Sequence, residues 1–76
     1  MKTLNEIDRG KTVIVAEITG GKGARERLSA HGISVGTIVY VKRNPLPSEG
    51  PLLLEVHDIE EELGKGVASK VQVEEL

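Results

Sequence analysis

Thr37-Ile38-Val39-Tyr40-Val41-Lys42-Arg43 and Leu52-Leu53-Leu54-Glu55-Val56-His57 are the two stretches on which the fold turns. Both are rich in residues that suit a pleated, half-buried surface. Between them, Asn44-Pro45-Leu46-Pro47-Ser48-Glu49-Gly50-Pro51 must be a loop, because its prolines interrupt any hydrogen-bonded ladder. Suppose the two runs pair antiparallel around that loop. Placing Val41 opposite Leu54 then also places Val39 opposite Val56, and all four face one core, as a period of two requires. The same register puts Ile38 opposite His57, Tyr40 opposite Glu55 and Lys42 opposite Leu53 on the outer face. Two readings of that outer face stay open. Either the N-terminal segment or a helix covers Ile38, Tyr40 and Leu53, or they form a contact surface, since clustered exposed apolar residues mark partners.

Outward from this pair, Thr12 to Ile18 is β-branched and reads as a strand ending at Thr19-Gly20-Gly21. Met1 to Gly10 is an N-terminal segment in which one helical turn would bring Leu4 and Ile7 to the same side. Gly23 to Ala30 holds the helix formers Ala24, Arg25, Glu26, Arg27 and Leu28, and predicts a helix of about two turns. Gly32 suits the left-handed position that ends it. Ser34-Val35-Gly36 is a turn. Glu60 to Leu63 predicts a short fourth strand and Val71 to Val73 a fifth. Gly64-Lys65-Gly66 reads as a turn, and Val67-Ala68-Ser69 as a single helical turn. The fold class is therefore all-β: one small barrel of about five strands with one short inserted helix, spanning residues 1–76 as a single domain.

Composition sets the remaining bounds. A chain of 76 residues makes one thin core, burying only about 60% of its unfolded surface. With one Tyr, no Phe and no Trp, that core is aliphatic. The absence of cysteine excludes a disulfide scaffold and thiolate metal sites. No apolar run approaches the roughly 20 residues of a membrane span. The segment Met1 to Glu6 lacks an apolar h-region, so the expectation is a cytoplasmic chain that is not membrane-embedded. The net charge of −2 gives no overall attraction to nucleic acid.

Candidate chemistry is sparse. His31, His57 and Asp58 are the metal-ligand types in the chain's middle, but no ligand spacing links them, and no metal site is expected. Asp58, Glu60, Glu61 and Glu62 read as the solvated edge of a hairpin, where charge discourages strand pairing. Gly20-Gly21-Lys22-Gly23 lacks phosphate-loop spacing and reads as a hinge, although a helix N-terminus tolerates anions. Lys22, Arg25 and Arg27, with Lys42 and Arg43, form a possible basic patch. Only Tyr40 could stack on a base or line a proline-peptide groove, which argues against both uses. The serines sit in turns and helix ends. No enzyme and no cofactor are expected.

One ordered set of residues carries a resemblance. A strand ends in Gly20-Gly21; Arg27-Leu28-Ser29-Ala30-His31-Gly32-Ile33 and Val35-Gly36-Thr37 follow. Then come Val39-Tyr40-Val41, Asn44-Pro45-Leu46, Gly50-Pro51-Leu52, Leu63, Ala68 and Val71-Gln72-Val73. From about Leu4 to Val73 the chain resembles the FeoA family, ferrous iron transport protein A. That family reads Arg-Leu, two residues, Met-Gly-Leu or Ile, a Gly before a strand, an Ala-Pro-Leu segment and a closing Ala-x-x-Ile-x-Val. Here His31 stands in the usual place of Met, and Asn44 in that of Ala.

The resemblance implies an SH3-like barrel whose helix follows the first strand. It implies a cytosolic adaptor of the membrane ferrous iron permease, a protein with a GTPase domain, and no enzymatic activity. The same domain type occurs fused to metal-dependent repressors. Alternative readings are a nucleic-acid-binding small barrel and a metal-sensing domain. Candidate partner contacts are Leu28, His31, Tyr40, Pro45, Leu46, Pro47 and Pro51. The prolines would stiffen their loop and lower its ordering cost on binding. An exposed strand edge allows a monomer or a weak homodimer.

Overall fold

Alternation of Val13 and Val15 toward one side of β2 (Thr12–Ile18) begins the core, and a bulge completes it. Val15 pairs with Val73, but the next paired residue is Glu17, with Gln72. The extra residue reverses the inside–outside parity, so Ile18 turns inward like Val13 and Val15. The computed structural model describes residues 2–76, with Pro47 described by its backbone. Met1, first residue of the expected N-terminal segment, lies outside the described residues.

Along the chain, β1 (Lys2–Thr3) leads into a 3-10 turn (Leu4–Glu6), then β2, α1 (Gly21–Ser29) and β3 (Ile38–Arg43). A second 3-10 turn (Pro47–Glu49) precedes β4 (Leu52–Val56), β5 (Ile59–Leu63), α2 (Lys65–Ala68) and β6 (Val71–Glu75). Among the described residues the strands make one antiparallel sheet in the order β1-β6-β2-β3-β4-β5. This is one strand more than expected. β1 is only two residues long and exists by pairing with β6, Lys2 against Val73 and Thr3 against Gln72.

The sheet curls around a wholly aliphatic core fed by every strand from β2 to β6 and by Leu4, Ile7, Leu28, Ile33 and Ala68. Burying each Val or Leu contributes roughly 1.5–3 kcal/mol. The register of β3 on β4 has Val41 opposite Leu54 and Tyr40 opposite Glu55, and Val39, Val41, Leu54 and Val56 are all buried. Two expected outer pairs are corrected. A bulge at Lys42 brings Arg43, not Lys42, opposite Leu53. His57 is not a strand residue facing Ile38: β4 stops at Val56, and His57-Asp58 is the two-residue turn into β5. Both take positive φ, 53° and 66°, the backbone that matches the twist of a tight hairpin.

α1 starts two residues earlier than expected, behind Gly20 at φ 89°. It ends as the sequence predicts. Gly32 is left-handed at φ 75°. Its N–H donates to the Ser29 carbonyl at 2.9 Å, and the Ile33 N–H to that of Leu28 at 3.0 Å, a paired closure that also seats Leu28 against Ile33.

Candidate functional site

The outer face of β3 is where buried and exposed chemistry part. Val39 and Val41 are sealed in the core, while Ile38 and Tyr40 on the other side are 54% and 40% exposed. The covered reading is corrected for these two, while Leu53, the third residue of that reading, is half-buried. Ile14 of β2 lies opposite Ile38, and Glu55 of β4 opposite Tyr40. The turn before β3 is held tightly. The Ser34 N–H donates to Thr37 Oγ1 at 3.0 Å, and the Gly36 N–H donates to the Val15 carbonyl at 2.8 Å. That leaves Val35 at the turn's tip, 64% exposed.

The Ser34–Thr37 turn, Ile38 and Tyr40, Glu55, and the His57-Asp58 hairpin together line an open groove of about 680 Å³. Its floor is apolar and one wall is acidic. Glu55 faces Glu60 directly across β4 and β5, a like-charge pair that costs stability. Lys42 Nζ donates to Glu60 Oε2 at 3.1 Å and offsets part of that cost. Among the described residues, no ion pair or side-chain hydrogen bond engages the carboxylates of Glu55 or Asp58.

The residues singled out by sequence fall in different places. Tyr40 lies in the groove. Leu28 is wholly buried and offers no surface, which corrects the expectation of a direct contact there: its side chain anchors α1 in the core. His31 is half-buried, with Nδ1–H donating to Glu61 Oε1 at 2.7 Å. In the proline loop, Leu46 is 66% exposed, Pro51 exposed and Pro45 half-buried; the side chain of Pro47 lies outside what is described. Asn44 ties that loop down. Its Nδ2 donates to the carbonyls of Asn5 at 3.0 Å and Ile7 at 2.7 Å, while Lys65 Nζ donates to Asn44 Oδ1 and to the Pro45 carbonyl. Val35 was missed, because a turn reading said nothing about which way its side chain would point.

Gly32, the residue after His31, lies against His57. A Cβ added to Gly32 would sit 3.6 Å from the His57 ring. Yet His31 is engaged by Glu61, and among the described residues no three His, Asp or Glu side chains converge as a metal site would require. The expected basic patch is divided: Lys22 pairs with Glu26 along α1 at 3.7 Å, while Lys42 belongs to the acidic outer face of the sheet. No buried side-chain nitrogen or oxygen among the described residues lacks a hydrogen-bond partner. The arrangement offers recognition surface.

Comparison with known proteins fits this geometry. The profile of the family described as "FeoA domain" matches residues 2–75. A Methanocaldococcus jannaschii protein, named as a candidate Fe(2+) transport protein A, is 36% identical over 66 residues, covering 87% of this chain and 77% of that protein. The crystal structure of an iron uptake regulatory protein (FeoA) superposes with a TM-score of 0.90 at 33% identity, covering 99% of this chain and 96% of that one. A manganese-dependent transcriptional repressor contains the same fold, with a TM-score of 0.88 at 21% identity, over 99% of this chain and 41% of its own. No helix among the described residues is long and apolar enough to cross a membrane.

Proposed function

The chain belongs to the FeoA family, and from that premise we propose that it is a small, non-enzymatic cytosolic adaptor of ferrous iron uptake. It acts by docking on the GTPase-bearing cytoplasmic part of the membrane ferrous iron permease. The observation that carries this reading is the uncovered apolar strip Val35, Ile38 and Tyr40 on a rigid strand and turn. A chain with so little apolar material keeps these side chains in water, which marks a surface that meets a partner. Tyr40 in the groove, and Pro45, Leu46, Pro47 and Pro51 in the loop, are the proposed contacts, with His31 near the groove's rim beside Gly32. The acidic outer face, with Glu55, Glu60 and Glu62, repels phosphate and favours a protein partner over a nucleic acid.

Calorimetric titration of the full chain into the purified cytoplasmic domain of the permease tests this, with and without GTP. Binding that weakens on Tyr40→Ser, and on deletion of residues 46–49, is the expected result. Absence of binding in both nucleotide states ends the adaptor reading.

A further inference from the structure

The groove beside β3 has a chemistry more specific than an apolar patch. Ile38 and Val35 supply branched aliphatic surface, and Tyr40 supplies an aromatic ring. Glu55 stands directly across from that ring, and Asp58 closes the same wall from the hairpin. Both carboxylates are placed against local preference. Glu55 faces the like charge of Glu60, and Asp58 is held at φ 66°, a conformation that glycine adopts far more readily. Of the cations on this face among the described residues, Lys42 is engaged with Glu60, and Arg43 lies outside the groove lining, opposite Leu53. Glu55 and Asp58 thus remain uncompensated among the described residues, next to an exposed aromatic.

A guanidinium meets every one of these features. It stacks on an aromatic face, bonds a carboxylate with two parallel N–H groups, and sheds water more readily than an ammonium. The aliphatic side chains flanking it in an extended segment would meet Ile38 and Val35. Acidic segments and phosphates meet repulsion on the same wall. We propose that the groove between the Ser34–Thr37 turn and the His57-Asp58 hairpin docks an arginine-bearing, otherwise apolar segment of a partner protein. This deepens the adaptor reading and rests on it for the partner's identity. The chemistry of the groove stands on its own residues.

The test uses the full chain and a capped pentapeptide of alternating valine and arginine, followed by backbone amide shifts. Shifts concentrated at Gly36, Ile38, Tyr40, Glu55 and Asp58 are expected, weakening as salt is raised. The same peptide with glutamate for arginine gives none, and one with lysine binds several-fold more weakly. The double variant Glu55→Gln with Asp58→Asn, checked for unchanged folding by circular dichroism, loses about fivefold or more in affinity for the arginine peptide. No shifts with the peptide in millimolar excess, shifts elsewhere on the surface, or equal binding of the glutamate peptide overturns the inference. The permease domain separates the two readings. If it binds wild type and the double variant equally, the groove inference falls and the adaptor reading stands. If the arginine peptide binds the groove while the permease domain does not bind, the adaptor reading falls and the groove assignment stands.

Discussion

His31 Nδ1 lies 2.7 Å from Glu61 Oε1, joining the end of α1 to the edge strand of the sheet. Glu61 is opposite Leu54, so its side chain starts from the core-facing side of β5. A carboxylate pointing inward on an edge strand discourages pairing with a second chain. It needs a donor there, and His31 supplies one where the family pattern has methionine. The pair is about one-quarter to one-third exposed, so its contribution should be that of a partly buried hydrogen bond, about 1 kcal/mol. A double-mutant cycle of His31→Ala and Glu61→Ala, read from urea unfolding, should give a coupling of about 0.5–1.5 kcal/mol. A coupling indistinguishable from zero would mean that the contact contributes nothing to folding.

Asn44 departs from the family pattern too, and its amide has a job. It satisfies the carbonyls of Asn5 and Ile7, and its Oδ1 accepts from Lys65. Two segments distant in sequence, the first 3-10 turn with Ile7 after it and α2, are thereby held to the start of the proline loop. Asn44→Ala leaves half-buried groups without partners and should cost about 2 kcal/mol. It should also speed hydrogen exchange at amides in residues 44–51. Unchanged stability and exchange would show that water replaces the amide without loss.

Much of this fold is legible in the sequence because it is periodic. The β-branched run of β2 and the Val41–Leu54 register follow from side-chain alternation alone. The bulges at Ala16 and Lys42 do not, since a bulge is decided by the neighbouring strand. β1 is illegible for the same reason: two residues become a strand only because β6 is beside them. Of the site, alternation exposes Ile38 and Tyr40. Val35 depends on how a turn aims its tip, and His31–Glu61 and Asn44–Ile7 are contacts between segments about thirty or more residues apart, which no local pattern encodes.

The hairpin turn His57-Asp58 carries positive φ at both residues without a glycine. A left-handed conformation costs an ordinary residue roughly 1–2 kcal/mol, and somewhat less for aspartate. Asp58→Gly should therefore stabilise the chain by about 0.5–1 kcal/mol and raise Tm by a few degrees in a domain of this size. Scanning calorimetry reads the change. The same variant removes one of the groove's two free carboxylates, so higher Tm should come with weaker binding of the arginine peptide. A variant with lower Tm would mean that the Asp58 side chain supports the turn in a way its contacts do not reveal.

Leu28 and Tyr40 lie on opposite sides of the line between folding and recognition, and their variants should separate cleanly. Leu28 has no exposed surface and plugs the core between α1 and the sheet. Leu28→Ala should cost about 3 kcal/mol in transfer and cavity terms. A 76-residue domain has a total stability of roughly 4–11 kcal/mol, so that loss consumes a large share of it. Partner binding by this variant should fall only in proportion to the fraction unfolded, and recover on cooling toward the temperature of maximum stability. Tyr40 is two-fifths exposed, on a strand whose backbone pairs on both sides. Tyr40→Ser should move stability by about 1 kcal/mol or less, while weakening binding by the permease domain at every temperature where the chain is folded. Paired urea melts and binding titrations across temperature measure both quantities. If Leu28→Ala binds poorly while fully folded, α1 itself contacts the partner and the interface extends beyond the groove and the proline loop.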